Sequence, residues 1–150
     1  MSTVHVTTKI NAPVEQVWDT VMDPDCLKDW VTIHRWVRDV SSNPLREGST
    51  MKQCLHLRGV SFNVNWKVVD FNAPSHAEWE GQGPAHSQAR IRYELRPDGE
   101  NRTEFEYIND FSPPGGRLGS MASRMIVGAA SEREAERSLE RLKALVEKKR

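Results

Sequence analysis

The sequence predicts an α+β fold in which one antiparallel sheet packs against a long C-terminal helix. Three observations lead to this prediction. Apolar and polar residues alternate with a period of two through most of residues 33–111, as in strands. Two short segments after the first strand, and a long segment at the C-terminal end, have the period of a helix instead. Because the chain has 150 residues, we expect a single domain over residues 1–150.

The first strand and two short helices follow from the opening segment. VHVTTKI alternates and places on one side Val4, Val6, Thr8 and Ile10. Pro13 then marks a helix start, where its missing N–H is not needed. The next apolar residues have the spacing of one helical face and are Val14, Val17, Trp18 and Val21. Asp23 and Pro24 repeat the start signal, which predicts a second short helix with Leu27 and Trp30 facing inward.

The middle of the chain predicts a run of antiparallel strands. The segments STMKQCLHL, VSFNVNWKVVDF and HAEWEG all alternate, and Gly59, NAPS and GQGP separate them. The inward phase of these strands contains Phe62, Val64, Trp66, Val68, Ala77 and Trp79.

The last hairpin is predicted down to its register. Pro97, Asp98 and Gly99 suit a three-residue loop, because Gly can take the left-handed position that closes it. This loop sets several outward residues opposite residues of the other charge. The predicted pairs are Arg96 with Glu100, Glu94 with Arg102, Arg92 with Glu104, Arg90 with Glu106, and His86 with Asp110.

A long helical pattern ends the chain. Its apolar stripe consists of Leu118, Ala122, Met125 and Ala129, continued by Ala135, Leu139, Leu142 and Val146. The second half is rich in leucine and is predicted to pack tightly. The first half has flexible methionines and small residues, which predicts unfilled or adaptable volume beneath it.

The order of these elements resembles that of the START-like superfamily, also called SRPBCC, which includes polyketide cyclases, aromatases and lipid-transfer domains. The segments INAPVEQVWDTVMDPDCLKDW and YELRPDGENRTEFEYINDF carry most of the resemblance, which covers Val4 to Lys149. It implies the helix-grip fold, a curved antiparallel sheet wrapped around a long C-terminal helix with two short helices after the first strand. It also implies a cavity between sheet and helix, which different members use for binding, transfer, cyclisation or hydrolysis.

The candidate ligand-binding residues lie on the inward phases of the strands and on the helix. They are Trp66, Trp79, Tyr93, Tyr107, Asn109, Met121, Met125 and Ala129, with His34 at the cavity mouth. The alternative for the aromatic residues is an ordinary core. Buried phenols and amides need polar partners, however, and a ligand or water can supply them.

Two other patterns have structural alternatives. His86 and Asp110 have the composition of a general-base dyad, but the predicted register places them among outward ion pairs. The stretch SPPGGRLGSMASRM, from Ser112 to Met125, lacks the spacing and the lysine of a phosphate-binding loop. It is interpreted as a hinge or pocket rim before the last helix, or as a tight connection.

Composition excludes several classes of function. The 21 basic and 21 acidic residues balance, so we expect no nucleic-acid partner. No segment has the roughly 20 apolar residues of a membrane span, so we expect no membrane insertion and a cytoplasmic location. Cys26 and Cys54 are interpreted as buried thiols, and the histidines lack metal-ligand spacing, so neither a metal nor another cofactor is expected. The oligomeric state stays open.

Three functions remain. The first is binding of a lipophilic small molecule, such as a lipid, a polyketide or another ring-containing metabolite, in the internal cavity. The second is a polyketide cyclase, aromatase or dehydratase that uses Tyr93, Tyr107, Asn109 or His34 as proton donor or orienting group. The third is a protein-interaction module, which requires an exposed apolar patch.

Overall fold

A computed structural model describes residues 2–112 and 120–148, with side chains described for residues 3–112 and 132–148. The strands are β1 (Ser2–Ile10), β2 (His34–Arg38), β3 (Thr50–Leu57), β4 (Val60–Asn72), β5 (His76–Gln82), β6 (Gln88–Pro97) and β7 (Thr103–Ser112). The helices are α1 (Val14–Val21), α2 (Leu27–Trp30) and α3 (Ser120–Lys148), with short 3-10 turns at Pro24–Cys26 and Pro84–His86.

The described strands form one curved antiparallel sheet in the order β1-β7-β6-β5-β4-β3-β2. Among the strands that the structure describes, only β1 and β7 are neighbours that lie far apart in sequence, and their pairing brings the first strand beside the last. Helix α3 contacts β1, α1 and α2. This architecture confirms the predicted helix-grip fold with two short helices after the first strand.

The first short helix begins where the sequence predicts, whereas the predicted start of the second at Pro24 is a 3-10 turn that leads into α2. Pro13 has extended backbone angles immediately before α1, whose Val17, Trp18 and Val21 are buried. The Asp23 carboxylate accepts a hydrogen bond of 2.9 Å from the Asp25 backbone N–H and so caps the turn that leads into α2. These local signals hold α1 and α2 beside α3.

The second half of α3 provides one side of the core. Leu139, Leu142 and Val146 are at most 1% exposed and belong to the same cluster as Ile10 and Phe105. Burial of each such side chain contributes about 1.5–3 kcal/mol to folding. The predicted stripe at Leu118, Ala122, Met125 and Ala129 lies outside the described side chains.

The predicted register of the last hairpin is wrong. Arg92 lies opposite Ile108, not Glu104, and Arg90 lies opposite Asp110, not Glu106. The connection spans residues 98–102, since Pro97 still pairs with Thr103.

A local interaction closes this longer loop. The Asp98 backbone N–H donates to the Arg102 carbonyl at 2.8 Å, and Arg102 Nε donates to the Asp98 carboxylate at 2.9 Å. Gly99 takes the left-handed conformation, with φ of 82°, inside the loop.

The observed register also pairs the inward residues differently. Tyr93 lies opposite Tyr107, and Leu95 lies opposite Phe105. Large apolar surfaces therefore meet across the strands, which contributes more than the exposed ion pairs on the other face. The observed register differs from the predicted one by an even number of residues. Because side chains alternate with a period of two, each residue keeps its inward or outward face.

The predicted pair of His86 and Asp110 does not form. Asp110 lies opposite Arg90, and its carboxylate accepts a hydrogen bond of 2.7 Å from the Thr3 hydroxyl. His86 lies in the turn between β5 and β6. Arg96 instead makes cross-strand ion pairs within this hairpin, with Glu104 and Glu106.

Gly81 gives Trp66 the space to lie against β5, and we expect Gly81→Ala to displace this ring. Trp66 is the direct cross-strand partner of Gly81, and a Cβ at Gly81 would lie 2.5 and 2.6 Å from two Trp66 ring carbons. Overpacking of this kind costs about 1–3 kcal/mol. Chemical denaturation is expected to show this loss, together with a shift in tryptophan fluorescence.

The control for this variant is Gln82→Ala, one residue along β5, where the side chain is exposed. It is expected to change the free energy of unfolding by less than about 0.5 kcal/mol. Equal stability of the two variants would contradict the proposed contact between Gly81 and Trp66.

Candidate ligand cavity

A cavity of about 160 Å³ lies between the sheet, α2 and the middle of α3. Most of its described wall is apolar. The sheet contributes Val4, Met51, Leu55, Val64, Ala89, Ile91 and Phe111, and the helices contribute Val21, Leu27, Ala135 and Leu139. The polar part of the described wall consists of Asp23, Gln53, Asn109, Glu134 and Ser138, together with the polar ends of the tryptophans and tyrosines.

Five of the predicted ligand-binding residues line this cavity, namely Trp66, Trp79, Tyr93, Tyr107 and Asn109. Their placement follows from the cross-strand pairing of inward residues in two neighbouring rows of the sheet. Trp79 pairs with Ile91, which pairs with Asn109, and in the next row Tyr93 pairs with Tyr107. The observed register is therefore the reason that both tyrosines and Asn109 lie side by side.

The other predicted site residues have different outcomes. The side chains of Met121, Met125 and Ala129 lie outside the described part of the chain, as does the glycine-rich segment of residues 113–119. His34 is not part of the described cavity wall. It contacts the cavity residue Gln53 instead, so it lies one side chain behind the wall.

A hydrogen-bonded chain joins His34 to Trp66 through Gln53. Trp66 Nε1 donates to Gln53 Oε1 at 2.9 Å, and because an indole nitrogen only donates, this bond fixes the orientation of the amide. Gln53 Nε2 then donates to His34 Nδ1, also at 2.9 Å. The proton of the neutral imidazole is therefore on Nε2.

The surroundings of His34 favour this neutral form. Burial lowers the pKa of His34 below its ordinary value, and the positive charge of Lys28 lowers it further. Protonation at Nδ1 would also set a donor against the Gln53 amide. His34 thus orients Gln53 and, through it, Trp66.

The two tyrosines keep their protons at neutral pH. Burial raises the pKa of Tyr107 to about 12, although the hydrogen bond from Asn109 has a lowering effect. Burial also raises the pKa of Tyr93 above its ordinary value, with a smaller effect from Tyr107. Asn109 Nδ2 donates to the Tyr107 hydroxyl oxygen at 3.2 Å, so the Tyr107 proton is free to point elsewhere.

Three buried polar atoms of the cavity wall have no hydrogen-bond partner among the described residues. They are the indole N–H groups of Trp30 and Trp79 and the amide oxygen of Asn109. Trp30 is 2% exposed and Trp79 is 4% exposed, so bulk solvent does not reach them freely. Each unpaired buried group costs about 1–3 kcal/mol.

Helix α3 is fixed to the loop after α2 at one side of the cavity. The Thr32 hydroxyl donates to the Glu134 carboxylate at 2.5 Å, and the Thr32 backbone N–H donates to the Ser138 hydroxyl at 3.1 Å. Glu134 and Asp23 bring carboxylates to the wall, and no Lys, Arg or His occurs among the described lining residues. The electrostatic environment of the described wall therefore disfavours an anion.

Within residues 2–112 and 120–148, no group of three His, Cys, Asp or Glu side chains could hold a metal ion. No described helix is long and apolar enough to cross a membrane.

Gln53 and Trp30 are among the cavity residues that were not predicted as site residues from the sequence, although signals for both were present. Gln53 occupies the inward phase of STMKQCLHL between Met51 and Leu55, where an amide is unusual. Trp30 was predicted to face inward only as part of the core. Its ring lies edge-on to Tyr93, with 6.3 Å between the centroids, which places it at the site.

The comparison with known families agrees with the fold. A family model described as polyketide cyclase / dehydrase and lipid transport matches residues 1–147. The chain belongs to this family. The family assignment also confirms the START-like resemblance that the element order and the two sequence segments predicted.

Solved structures of family-like proteins share the fold at low identity. A START superfamily protein from Mycobacterium smegmatis has a TM-score of 0.81 at 17% identity, with 100% of both chains covered. The Zhui aromatase/cyclase from a Streptomyces species has a TM-score of 0.76 at 16% identity, with 97% of this chain and 93% of that chain covered.

A curated relative from Mycobacterium tuberculosis is named as a toxin. It is 21% identical over 85 residues, which are 57% of this chain and 59% of the relative. The match thus spans less than two thirds of that protein.

The chain has two tyrosines, Tyr93 and Tyr107, so tyrosinate absorbance reports on the cavity alone. We expect the folded protein to show almost no tyrosinate at pH 10, where an ordinary tyrosine is about half ionised. Burial stabilises the protonated phenols, so the absorbance near 295 nm is expected to rise only at higher pH or on unfolding. In denaturant, the same protein is expected to titrate near pH 10. Half ionisation at pH 10 in the folded state would contradict the burial of these hydroxyls.

Proposed function

We propose that this protein binds a lipophilic small molecule in the cavity between the sheet and α3. The observation that carries this proposal is a largely apolar cavity with a few polar atoms on its inner wall, which is the usual composition of a small-molecule site. The family description, with its polyketide and lipid ligands, supports the same function.

The volume favours a ring-containing ligand. An apolar engineered cavity of about 150 Å³ takes up benzene, and this cavity has a volume of about 160 Å³. Its wall is also rich in aromatic rings, which pack well against a planar ligand. A polyketide ring or another ring-containing metabolite fits this description better than an extended lipid chain.

Catalysis by a cyclase, aromatase or dehydratase is the second candidate. The position of the neutral Tyr107 phenol beside Asn109 supports it, because this hydroxyl can donate to a carbonyl oxygen of a ligand. An efficient general acid has a pKa near the working pH, however, and the pKa of Tyr107 is raised to about 12. These groups suit orienting a ligand better than transferring a proton.

A protein-interaction module has less support. Among the described residues, Val60 is the large apolar side chain that is exposed, at 61%, and a single such residue does not form a patch. A location in the cytoplasm stays a prediction.

The proposal is tested by filling the cavity from its helix side. Toluene serves as the apolar probe, and a rise in the Tm of the protein reports its binding, because a ligand of the folded state stabilises it. Ala135 lines the cavity, so we expect Ala135→Phe to occupy the space and abolish most of the Tm rise.

The control is Glu136→Phe, which adds the same ring to the same helix at an exposed position. It is expected to retain the Tm rise of the unmodified protein. If Ala135→Phe does not fold, Ala89→Leu reduces the cavity from the sheet side. An equal Tm rise in the filled variants and the control would overturn the proposal, as would no rise in the unmodified protein.

A further inference from the structure

We propose that Asn109, Trp79 and Trp30 form a hydrogen-bonding subsite for an uncharged oxygen group, a phenol or an alcohol, on a ring-shaped ligand. The inference rests on the binding function proposed above and adds the chemical class of the ligand. It starts from the three cavity-wall polar atoms that lack partners among the described residues.

The sheet places Trp79 and Asn109 on either side of Ile91. Their backbones belong to one row through Ile91, so two strand spacings separate them. At about 4.8 Å per spacing, their Cα atoms lie about 10 Å apart. All three side chains line the cavity, so a ring that lies on Ile91 would have a polar group on each side of it.

The unpaired hydrogen-bonding groups of Asn109, Trp79 and Trp30 are complementary to a hydroxyl group. Asn109 uses its N–H on Tyr107, and its oxygen still accepts, whereas the indole groups of Trp79 and Trp30 can only donate. A ligand hydroxyl donates one hydrogen bond and accepts others, so it satisfies both kinds of group. A hydrocarbon satisfies neither.

Gln53 shows that the fold can satisfy such groups internally where it needs to. Its oxygen accepts from Trp66 and its N–H donates to His34, so none of these side chains depends on a ligand. Asn109 and Trp79 lack an equivalent arrangement within the described residues. We therefore assign ligand recognition to Asn109 and Trp79, and a structural role to Gln53.

The charge of the wall limits the ligand further. Asp23 and Glu134 are acidic, and the described lining contains no basic residue. A carboxylate on the ligand would lose its hydration without gaining a cation, which is unfavourable. The subsite therefore selects a hydroxyl over a carboxylate.

Three probes of nearly equal shape test the subsite by NMR titration: toluene, p-cresol and p-toluate. We expect the unmodified protein to bind p-cresol in preference to toluene, and p-toluate at least about tenfold more weakly than p-cresol. Asn109→Leu replaces the amide with an apolar group of similar size. It is expected to reduce the preference for p-cresol over toluene about tenfold, as when a buried hydrogen-bonding partner is removed.

Two further variants make the result specific. Asn65→Leu makes the same chemical change at an exposed position of β4 and is expected to leave the preference unchanged. Trp79→Phe removes the indole N–H, and it is expected to reduce the preference even if Asn109→Leu does not fold.

The outcomes separate this inference from the proposed function. If toluene and p-cresol bind but their affinity ratio is the same in the unmodified protein, Asn109→Leu and Trp79→Phe, the subsite is overturned and the cavity function stands. Binding of p-toluate as tight as that of p-cresol overturns the selection against carboxylates. If none of the probes binds, both the subsite and the proposed function are overturned.

Discussion

The packing of the second half of α3 across the inner face of the sheet is the constraint on which the rest of the structure depends. Leu139, Leu142 and Val146 are almost fully buried there and hold the helix against β1 and the two short helices. The cavity lies beyond Leu139, where the described wall changes from tightly packed side chains to aromatic rings and amides.

The polar groups of the described cavity wall include both paired and unpaired ones. Most buried polar groups in proteins are hydrogen-bonded, because an unpaired one costs free energy. Gln53 follows this rule, since it bridges His34 and Trp66. Trp30, Trp79 and Asn109 depart from it within the described residues, and all three line the same cavity. Under the proposed function, these are the groups that a ligand would pair.

The sequence predicts the faces of the strands better than their partners. Alternation identifies Trp66, Trp79, Tyr93 and Tyr107 as inward residues, and all four line the cavity. It does not determine the register, because a shift by an even number of residues preserves every face. The connection that Asp98 and Arg102 close is longer than the predicted three-residue loop, and no spacing rule for short loops predicts it. Alternation also does not predict the hydrogen bond between His34 and Gln53, because it depends on the conformations of the two side chains.

The indole N–H resonances of the five tryptophans provide the most direct measurement of the central claim, that a ligand occupies this cavity and binds its unpaired polar groups. Trp30, Trp66 and Trp79 line the cavity, whereas Trp18 packs on Phe71 and Trp36 lies beneath Arg38. In a titration with p-cresol, we expect the largest shifts for the indole N–H resonances of Trp30 and Trp79, with those of Trp18 and Trp36 nearly unchanged. Shifts confined to Trp18 or Trp36, or no shifts at saturating p-cresol, would contradict it.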